Sequence, residues 1–462
     1  MRVSSGWSPR LADAGAPTSE RLVTALAEDI LDGVVAEGER LPAHRALAEE
    51  LGVALGTVTK AYAELGLRGL VRGTHGRGTF VSYRASPTSG TVDLAMNMPP
   101  RLLSDEVIGD ALAASAHRVD AEVLSACGPP GGRLEYRRTA AAWLASSGLE
   151  LPPEELVLAH GAQQGIVAVL MAVGRPGRPV PVYTEEVTFH GALSYARLAG
   201  HSVHGVPIDR QGMRPDLLDR MLALDARAGA HAGIRPVVYV TPTLQNPTGA
   251  TMCASRRREL VRVARSHDVL VIEDDVYALS EERTAPALVE LAPERTFHVS
   301  SASKALSPAI RLGMVKAPCA FRPRVADAVR SLGLPVSPLI CVLLDELVGA
   351  GIASTVRASI RDEGARRTAL AREQLGSALF LAPKTGYHVF LPMPPEHARR
   401  LAAAAQDAGV LVTDPDSMLA DPQGSRVGGV RLSLGAPPMA ELARGLSVVR
   451  DLLGAAPTPS GK

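Results

Sequence analysis

Hydrophobic positions change rhythm twice along the chain. From Thr18 to Leu31 apolar residues return at helical spacing, with Leu22, Ala25, Leu26 and Ile30 on one face and Thr18 or Ser19 as N-cap. Ala43–Leu51 and Thr57–Leu65 carry two further short helical patterns. Between them Leu51-Gly52-Val53 reads as a tight turn that glycine permits. Two short strand-like runs follow, Gly69-Leu70-Val71-Arg72 and Gly76-Arg77-Gly78-Thr79-Phe80-Val81, with a glycine-rich tip between them. That order predicts a helix-turn-helix with a β-wing. Residues 83–92 are rich in Ser, Thr, Pro and Gly and read as a linker. At ~3.3 Å per residue it reaches at most ~35 Å. From residue 93 onward, apolar runs alternate with Ala-, Leu- and Arg-rich helical stretches, the rhythm of an α/β sheet covered by helices. The expected organisation is a small helical domain at 15–82, the linker 83–92, a large α/β domain at 93–455 and a disordered tail.

In the large domain each apolar run ends in polar residues. Leu156–Ala159 leads into His160-Gly-Ala-Gln-Gln-Gly165 and an apolar helix. A small-residue turn that opens a helix exposes N–H groups and the positive end of the helix dipole, which suits a phosphate. Val237–Val240 leads into Asn246-Pro-Thr-Gly249, Val269–Ile272 into Glu273-Asp-Asp-Val-Tyr277, and Thr296–Ser300 into Ser301-Ala-Ser-Lys304 and Arg311. Sites in open α/β sheets form beyond the carboxyl ends of strands, so these groups can converge. A phosphate cradle with an Asn, an Asp, a Tyr, a Lys and an Arg fits pyridoxal 5'-phosphate. Its aldehyde forms a Schiff base with a lysine, its ring nitrogen takes a carboxylate, and its phenolic oxygen takes hydrogen bonds.

These motifs resemble the fold type I aminotransferases over roughly residues 93–453. The resemblance implies catalytic roles for Lys304 as Schiff-base lysine, Asp274 at the pyridine nitrogen and Tyr277, with Asn246, at the phenolic oxygen. It implies that Ser301, Ser303, Arg311 and the amides near Ala162 and Gln163 hold the phosphate, and that Phe189, at a position often Tyr, stacks on the ring. Arg431, in Val430-Arg-Leu-Ser-Leu434, matches the arginine that binds a substrate or effector carboxylate. In the segment that lines the pocket and dimer interface, Cys127 replaces the usual Tyr.

Residues 18–82 resemble the winged helix of the GntR repressors, through Gly38-Glu-Arg-Leu-Pro42, Arg45-Ala-Leu-Ala48, Thr57-Val58 and Gly76-Arg-Gly-Thr-Phe-Val81. The third helix is expected in the major groove of double-stranded DNA, with Thr57, Thr59 and Lys60 near its start, Arg45 on phosphate, Arg72 on the same face and Arg77 at the wing tip. The family usually carries Arg where Leu55 stands. A winged helix fused to an aminotransferase-like domain is similar to the MocR subfamily of GntR regulators. The resemblance implies a transcription factor that senses pyridoxal phosphate or an amine or amino acid effector. An amine that displaces Lys304 would reorient two winged helices between two operator half-sites. It also implies a head-to-tail homodimer, each winged helix lying against the partner's large domain. The alternative is a pyridoxal-phosphate-dependent aminotransferase acting on an amino acid.

Composition changes this picture in three ways. Lys and Arg total 49 against 48 Asp and Glu, and residues 1–84 carry ten of each, so DNA affinity depends on segregated charge. Aromatics are only 3%, so the core is built from Ala, Val and Leu. The four cysteines, Cys127, Cys253, Cys319 and Cys341, are scattered without a C-x-x-C pair, which argues against zinc or a disulfide framework and fits a reducing cytoplasm. Met1–Arg10 has no apolar secretory segment, and no run reaches the ~18–20 apolar residues of a membrane helix.

Overall fold

The computed structural model describes residues 7, 18–68, 70–74, 78–82, 90–125, 128–174, 178–230, 233–279, 283–333 and 335–455. Helices α1 (Thr18–Leu31), α2 (His44–Leu51) and α3 (Leu55–Leu67) pack around Leu22, Leu26, Ile30, Leu47, Val58 and Ala61. Each fully buried Leu or Ile of this kind contributes about 1.5–3 kcal/mol. Gly52 closes α2 at φ 63°, a left-handed conformation open to glycine without a Cβ clash. Helix α3 begins two residues earlier than the apolar pattern predicts, because extended Ala54 is its N-cap and Leu55 and Gly56 join the first turn. Strands β1 (Val71–Thr74) and β2 (Gly78–Val81) form the antiparallel wing, with Val71 opposite Val81. The tip residue Arg77, linker residues 83–89, Cys127 and the tail beyond 455 lie outside the described residues.

The chain continues through β3 (Val92–Leu94), α4 (Asp105–Ala116), α5 (Ala121–Ser125), α6 (Leu134–Ala145), β4 (Leu156–Ala159), α7 (Ala162–Val173), β5 (Pro181–Glu185), α8 (His190–Leu198), β6 (Ser202–Val206), β7 (Ile208–Asp209), β8 (Gly212–Met213), α9 (Pro215–Arg227) and β9 (Val237–Val240). It then runs through α10 (Ala254–Ser266), β10 (Leu270–Asp274), α11 (Leu288–Leu291), β11 (Thr296–Ser301), β12 (Gly313–Lys316), α12 (Arg322–Gly333), α13 (Pro338–Gly349), α14 (Ile352–Leu375), β13 (His388–Met393), α15 (Pro395–Asp407), β14 (Val410–Val412), β15 (Gly428–Ser433) and α16 (Met439–Ala455).

Seven strands form a mixed, mostly parallel sheet in the order β4-β12-β11-β10-β9-β5-β6, in which β12 runs against its neighbours. Helices cover it, so its strands are buried on both faces and read as continuous Val- and Leu-rich runs. A smaller α+β part pairs β13 with β15 and β14 with β3 over a core of Val389, Leu391, Val430, Leu432 and Leu442. Val92, the last residue of the expected linker, already belongs to that part, where its N–H donates to Gly409 O.

The winged helix rests on α14 of the same chain, where the family resemblance implies the partner's large domain instead. Asp32, just after α1, receives two hydrogen bonds of 3.1 Å from the Arg366 guanidinium. The connection from β2 to β3 spans residues 82–91. A cleft of about 590 Å³ separates the docked surfaces, lined on one side by α1 and α3 and on the other by Ser359, Arg361 and Glu363. Among the described residues no single helix is long and apolar enough to cross a membrane.

Candidate functional site

The carboxyl ends of β9, β10 and β11 and the start of α7 meet at one cavity of about 470 Å³. Lys304, Asp274, Tyr277, Asn246, Ser301, Ser303, Arg311, Phe189, Ala162, Gln163 and Arg431 all line it. At one end, Gly313 on β12 packs against Gly161 at the start of α7. A Cβ on Gly313 would collide with the Gly161 carbonyl group. That close approach brings Arg311 beside the first-turn amides of Ala162 and Gln163, and an Arg311 Nη2–His160 O contact of 3.5 Å anchors the guanidinium. Ser303 turns its hydroxyl to Ile310 O at 3.4 Å.

Asp274 is buried at the end of β10, and its Oδ2 accepts from the Tyr239 hydroxyl at 2.6 Å. Burial raises its carboxyl to about 6, although the Tyr239 hydrogen bond pulls the other way. Its Oδ1 is buried with no protein partner. Neighbouring Asp275 points elsewhere and pairs with Arg283. Burial likewise lowers the Lys304 ammonium to about 8, helped by Arg431, while Asp274 opposes the shift. Lys304 Nζ donates to Asn97 O at 2.5 Å. Arg431 is 3% exposed and donates to Asn246 Oδ1 at 2.8 Å, Ala95 O at 2.7 Å and Thr413 Oγ1 at 2.8 Å, which leaves its buried Nε without a partner. Tyr277 OH accepts from Asn97 Nδ2 at 2.8 Å and from Asn246 Nδ2 at 3.5 Å. The Phe189 ring lines the cavity, its centroid 4.9 Å from that of the His190 ring.

Sequence reasoning missed Asn97, Tyr239 and Thr413, and it assigned His388, which belongs to no motif, no role. Asn97 sits in Ala95-Met-Asn-Met-Pro-Pro100, a stretch with no period and no motif. Tyr239 was legible in principle, since it stands on β9 opposite Ile272, two residues before Asp274 on the neighbouring strand.

On the winged helix, Arg45, Lys60 and Arg72 are exposed and Thr57 is half-buried. The Thr59 hydroxyl donates to Leu55 O at 3.0 Å and meets His44 Nδ1 at 3.2 Å, so its proton is engaged within the domain. Lys60 also lines the cleft facing α14, so it stands between the expected DNA face and the docked domain. Leu55 is 43% exposed at the first turn of α3. The unforeseen basic residue is Arg40, exposed at the base of the wing, with its guanidinium lying against Gly78.

Residues 89–449 match the aminotransferase class I and II family, and residues 18–81 match the bacterial regulatory proteins of the gntR family. The chain belongs to the MocR subfamily of GntR-type transcriptional regulators. This MocR-type chain is 28% identical to the uncharacterized HTH-type transcriptional regulator YdeF of Bacillus subtilis (strain 168), over 97% of this chain and 96% of YdeF. It is 30% identical to the HTH-type transcriptional regulator TauR of Rhodobacter capsulatus, over 68% of this chain and 69% of TauR. Its cofactor domain is similar to LysN, the α-aminoadipate aminotransferase of Thermus thermophilus solved with N-(5'-phosphopyridoxyl)-L-leucine. That match has a TM-score of 0.66 and 25% identity, covering 79% of this chain and 92% of that one.

The chain is thus a DNA-binding regulator with a pyridoxal-phosphate domain of the aminotransferase fold, and the pocket chemistry fits that cofactor. A cation beside helix-start amides suits a phosphate. A buried carboxylate with an unpartnered oxygen suits a protonated ring nitrogen. A lysine held partly neutral suits an aldehyde.

Proposed function

We propose that this MocR regulator reads pyridoxal phosphate, or an amine or amino acid that reacts with it, and converts the reading into operator affinity. In this reading Lys304 is the attachment lysine, Asp274 holds the ring nitrogen, and Tyr277 with Asn246 faces the phenolic oxygen. Ser301, Ser303, Arg311 and the Ala162 and Gln163 amides hold the phosphate. Phe189 stacks on the ring, and Arg431 receives an effector carboxylate in place of part of its present set of acceptors. The bound cofactor supplies the aldehyde and the electron-withdrawing ring. The protein supplies the lysine, the charge partners and the exclusion of water. Arg45, Thr57, Thr59, Lys60, Arg72 and Arg77 are proposed to meet DNA.

The observation that carries this reading is a polar chain from the winged helix to the turn that follows the strand carrying Arg431. Asp32 is held by Arg366, and Arg366 Nε donates to Glu363 Oε2 at 3.1 Å. Glu363 Oε1 accepts from buried Arg367 at 2.6 Å. Arg367 in turn donates to Leu434 O, Gly435 O and Pro437 O, at 2.6, 3.1 and 2.6 Å. Those carbonyls directly follow the strand that carries Arg431. A shift at Arg431 on effector binding therefore has a short, packed route to the docked winged helix.

The protein is proposed to act in the cytoplasm as a homodimer that offers two winged helices to two half-sites. A head-to-tail pair would exchange the Asp32–Arg366 contact between copies. The test is footprinting of the DNA beside its own gene, with and without pyridoxal phosphate. A protected pair of half-sites whose occupancy changes with the cofactor is expected. No protection in either condition contradicts the reading, and robust amino-group turnover with a common amino donor would favour the aminotransferase alternative.

A further inference from the structure

His388 opens β13 and is 1% exposed, yet no role assigned above uses it. Its Nε2 faces the carbonyl of Gln245 at 3.1 Å, and its Nδ1 faces Asn97 Nδ2 at 3.4 Å. A carbonyl can only accept, so the ring proton sits on Nε2. Burial, with Arg431 and Lys304 nearby, moves the ring to about 4, so it is neutral at physiological pH and its Nδ1 carries a lone pair. That lone pair needs a donor, which fixes the Asn97 amide with its NH2 group toward His388.

The second amide N–H of Asn97 then points at Tyr277, and the Nδ2–Tyr277 OH distance is 2.8 Å. The Tyr277 oxygen is thereby an acceptor on this side, and Asn246 Nδ2 approaches it from another at 3.5 Å. With its oxygen receiving donors, the tyrosine keeps its own proton for the cavity. A flipped Asn97 would present Oδ1 instead and draw that proton away. The His388 and Tyr277 rings pack 5.2 Å apart, and Tyr387, the residue before His388, donates to Lys304 O at 2.9 Å, so the strand holds both ends of the arrangement.

We infer that His388 is a positioning residue: by fixing the orientation of the Asn97 amide it makes Tyr277 a proton donor toward the phenolic oxygen of the cofactor. The inference rests on the pyridoxal phosphate reading of the pocket. It goes beyond that reading by assigning a direction to each hydrogen bond. Such a donor draws charge from the phenolic oxygen and so weakens the hold of that oxygen on a proton at the neighbouring lysine nitrogen. Losing the donor raises the proton affinity of that nitrogen. The charged groups that also face Lys304 are Arg431, Asp274 and Arg311, and His190 lies close by.

Two measurements test this. In the holoprotein, the visible absorbance band of the lysine-bound cofactor is titrated with pH. His388→Phe is expected to raise the midpoint by about one unit, tenfold in proton affinity, in the same direction as Tyr277→Phe. The double variant is expected to go no further than Tyr277→Phe, because both act through one hydroxyl. His388→Gln, which can donate to Gln245 O and accept from Asn97, is expected to restore the wild-type midpoint. A folded His388→Phe holoprotein with the wild-type midpoint overturns the proposal, as does a shift that adds fully to that of Tyr277→Phe. The second measurement needs no cofactor. Nitrogen NMR of histidine-labelled full-length protein is expected to show His388 as the neutral Nε2–H tautomer from about pH 5 to pH 9. An Nδ1–H tautomer, or a charged ring in that range, overturns the proposal. If the NMR result holds while the wild-type protein shows no cofactor band, the pyridoxal phosphate reading has failed, and with it the role of His388.

Discussion

Two side chains set the chemistry of the pocket. Lys304 is lowered from 10.5 to about 8 mainly because burial penalises its charge. Its attachment to the cofactor is therefore expected to rise with pH along a curve centred near 8, the neutral amine being the reactive form. The same shift has a stability consequence with a definite sign. The unfolded chain holds this proton up to the ordinary lysine range, so the apoprotein gains stability as pH climbs from about 8 toward 10.5. In Lys304→Ala, borohydride reduction is expected to trap no cofactor mass on the protein. Asp274→Asn removes a buried charge partner whose hydrogen bond to a charged group is worth about 1.5–3 kcal/mol. Equilibrium titration is expected to show cofactor binding about 10- to 100-fold weaker, and unchanged affinity would contradict the role proposed for Asp274.

At the scale of elements, two contacts decide how the site is built and connected. The Gly313–Gly161 approach seats α7 and Arg311 against each other. Gly313→Ala forces backbone apart, so urea unfolding is expected to show a loss of about 1–3 kcal/mol together with weaker cofactor binding. The Asp32–Arg366 pair joins the winged helix to α14. Partly exposed, it is worth only about 1 kcal/mol or less, a size that effector binding can offset. Asp32→Arg is expected to uncouple operator affinity from the cofactor while leaving cofactor affinity intact. Adding Arg366→Asp is expected to restore the coupling; failure of the swap would leave the pair without a role in communication.

The same scale shows what the sequence could convey. The bounds of α1 and β9 follow from apolar spacing alone, because each element buries a regular stripe or a continuous run. Residues Asn246, Asp274 and Lys304 were legible because each follows a strand and belongs to a local motif. Asn97 was not, since it reaches Tyr277 from a position 180 residues away through the pairing of the smaller subdomain, and neither was the role of His388, 111 residues from Tyr277. Nor could spacing foretell that Asp32 meets Arg366, a contact made by the docking of two domains.

For the whole molecule, near-neutral charge limits how the winged helix holds DNA. The first 84 residues carry ten basic and ten acidic residues, and among the described ones Arg40, Arg45, Lys60 and Arg72 are exposed cations that can meet phosphate. Each module is then expected to give a salt dependence of about −3 in log K against log salt, about doubled for a two-module complex. A slope near −3 for the intact protein on a two-half-site operator would mean that only one module binds.

The most direct test of the central claim, that the aminotransferase-like domain governs DNA binding, is a fluorescence anisotropy titration. The full-length protein is titrated onto the operator fragment, without cofactor and saturated with pyridoxal phosphate, beside Lys304→Ala. Operator affinity of the wild type is expected to change by about 5- to 150-fold on loading, and that of Lys304→Ala to stay fixed. Equal affinity of the loaded and unloaded wild-type protein would contradict it.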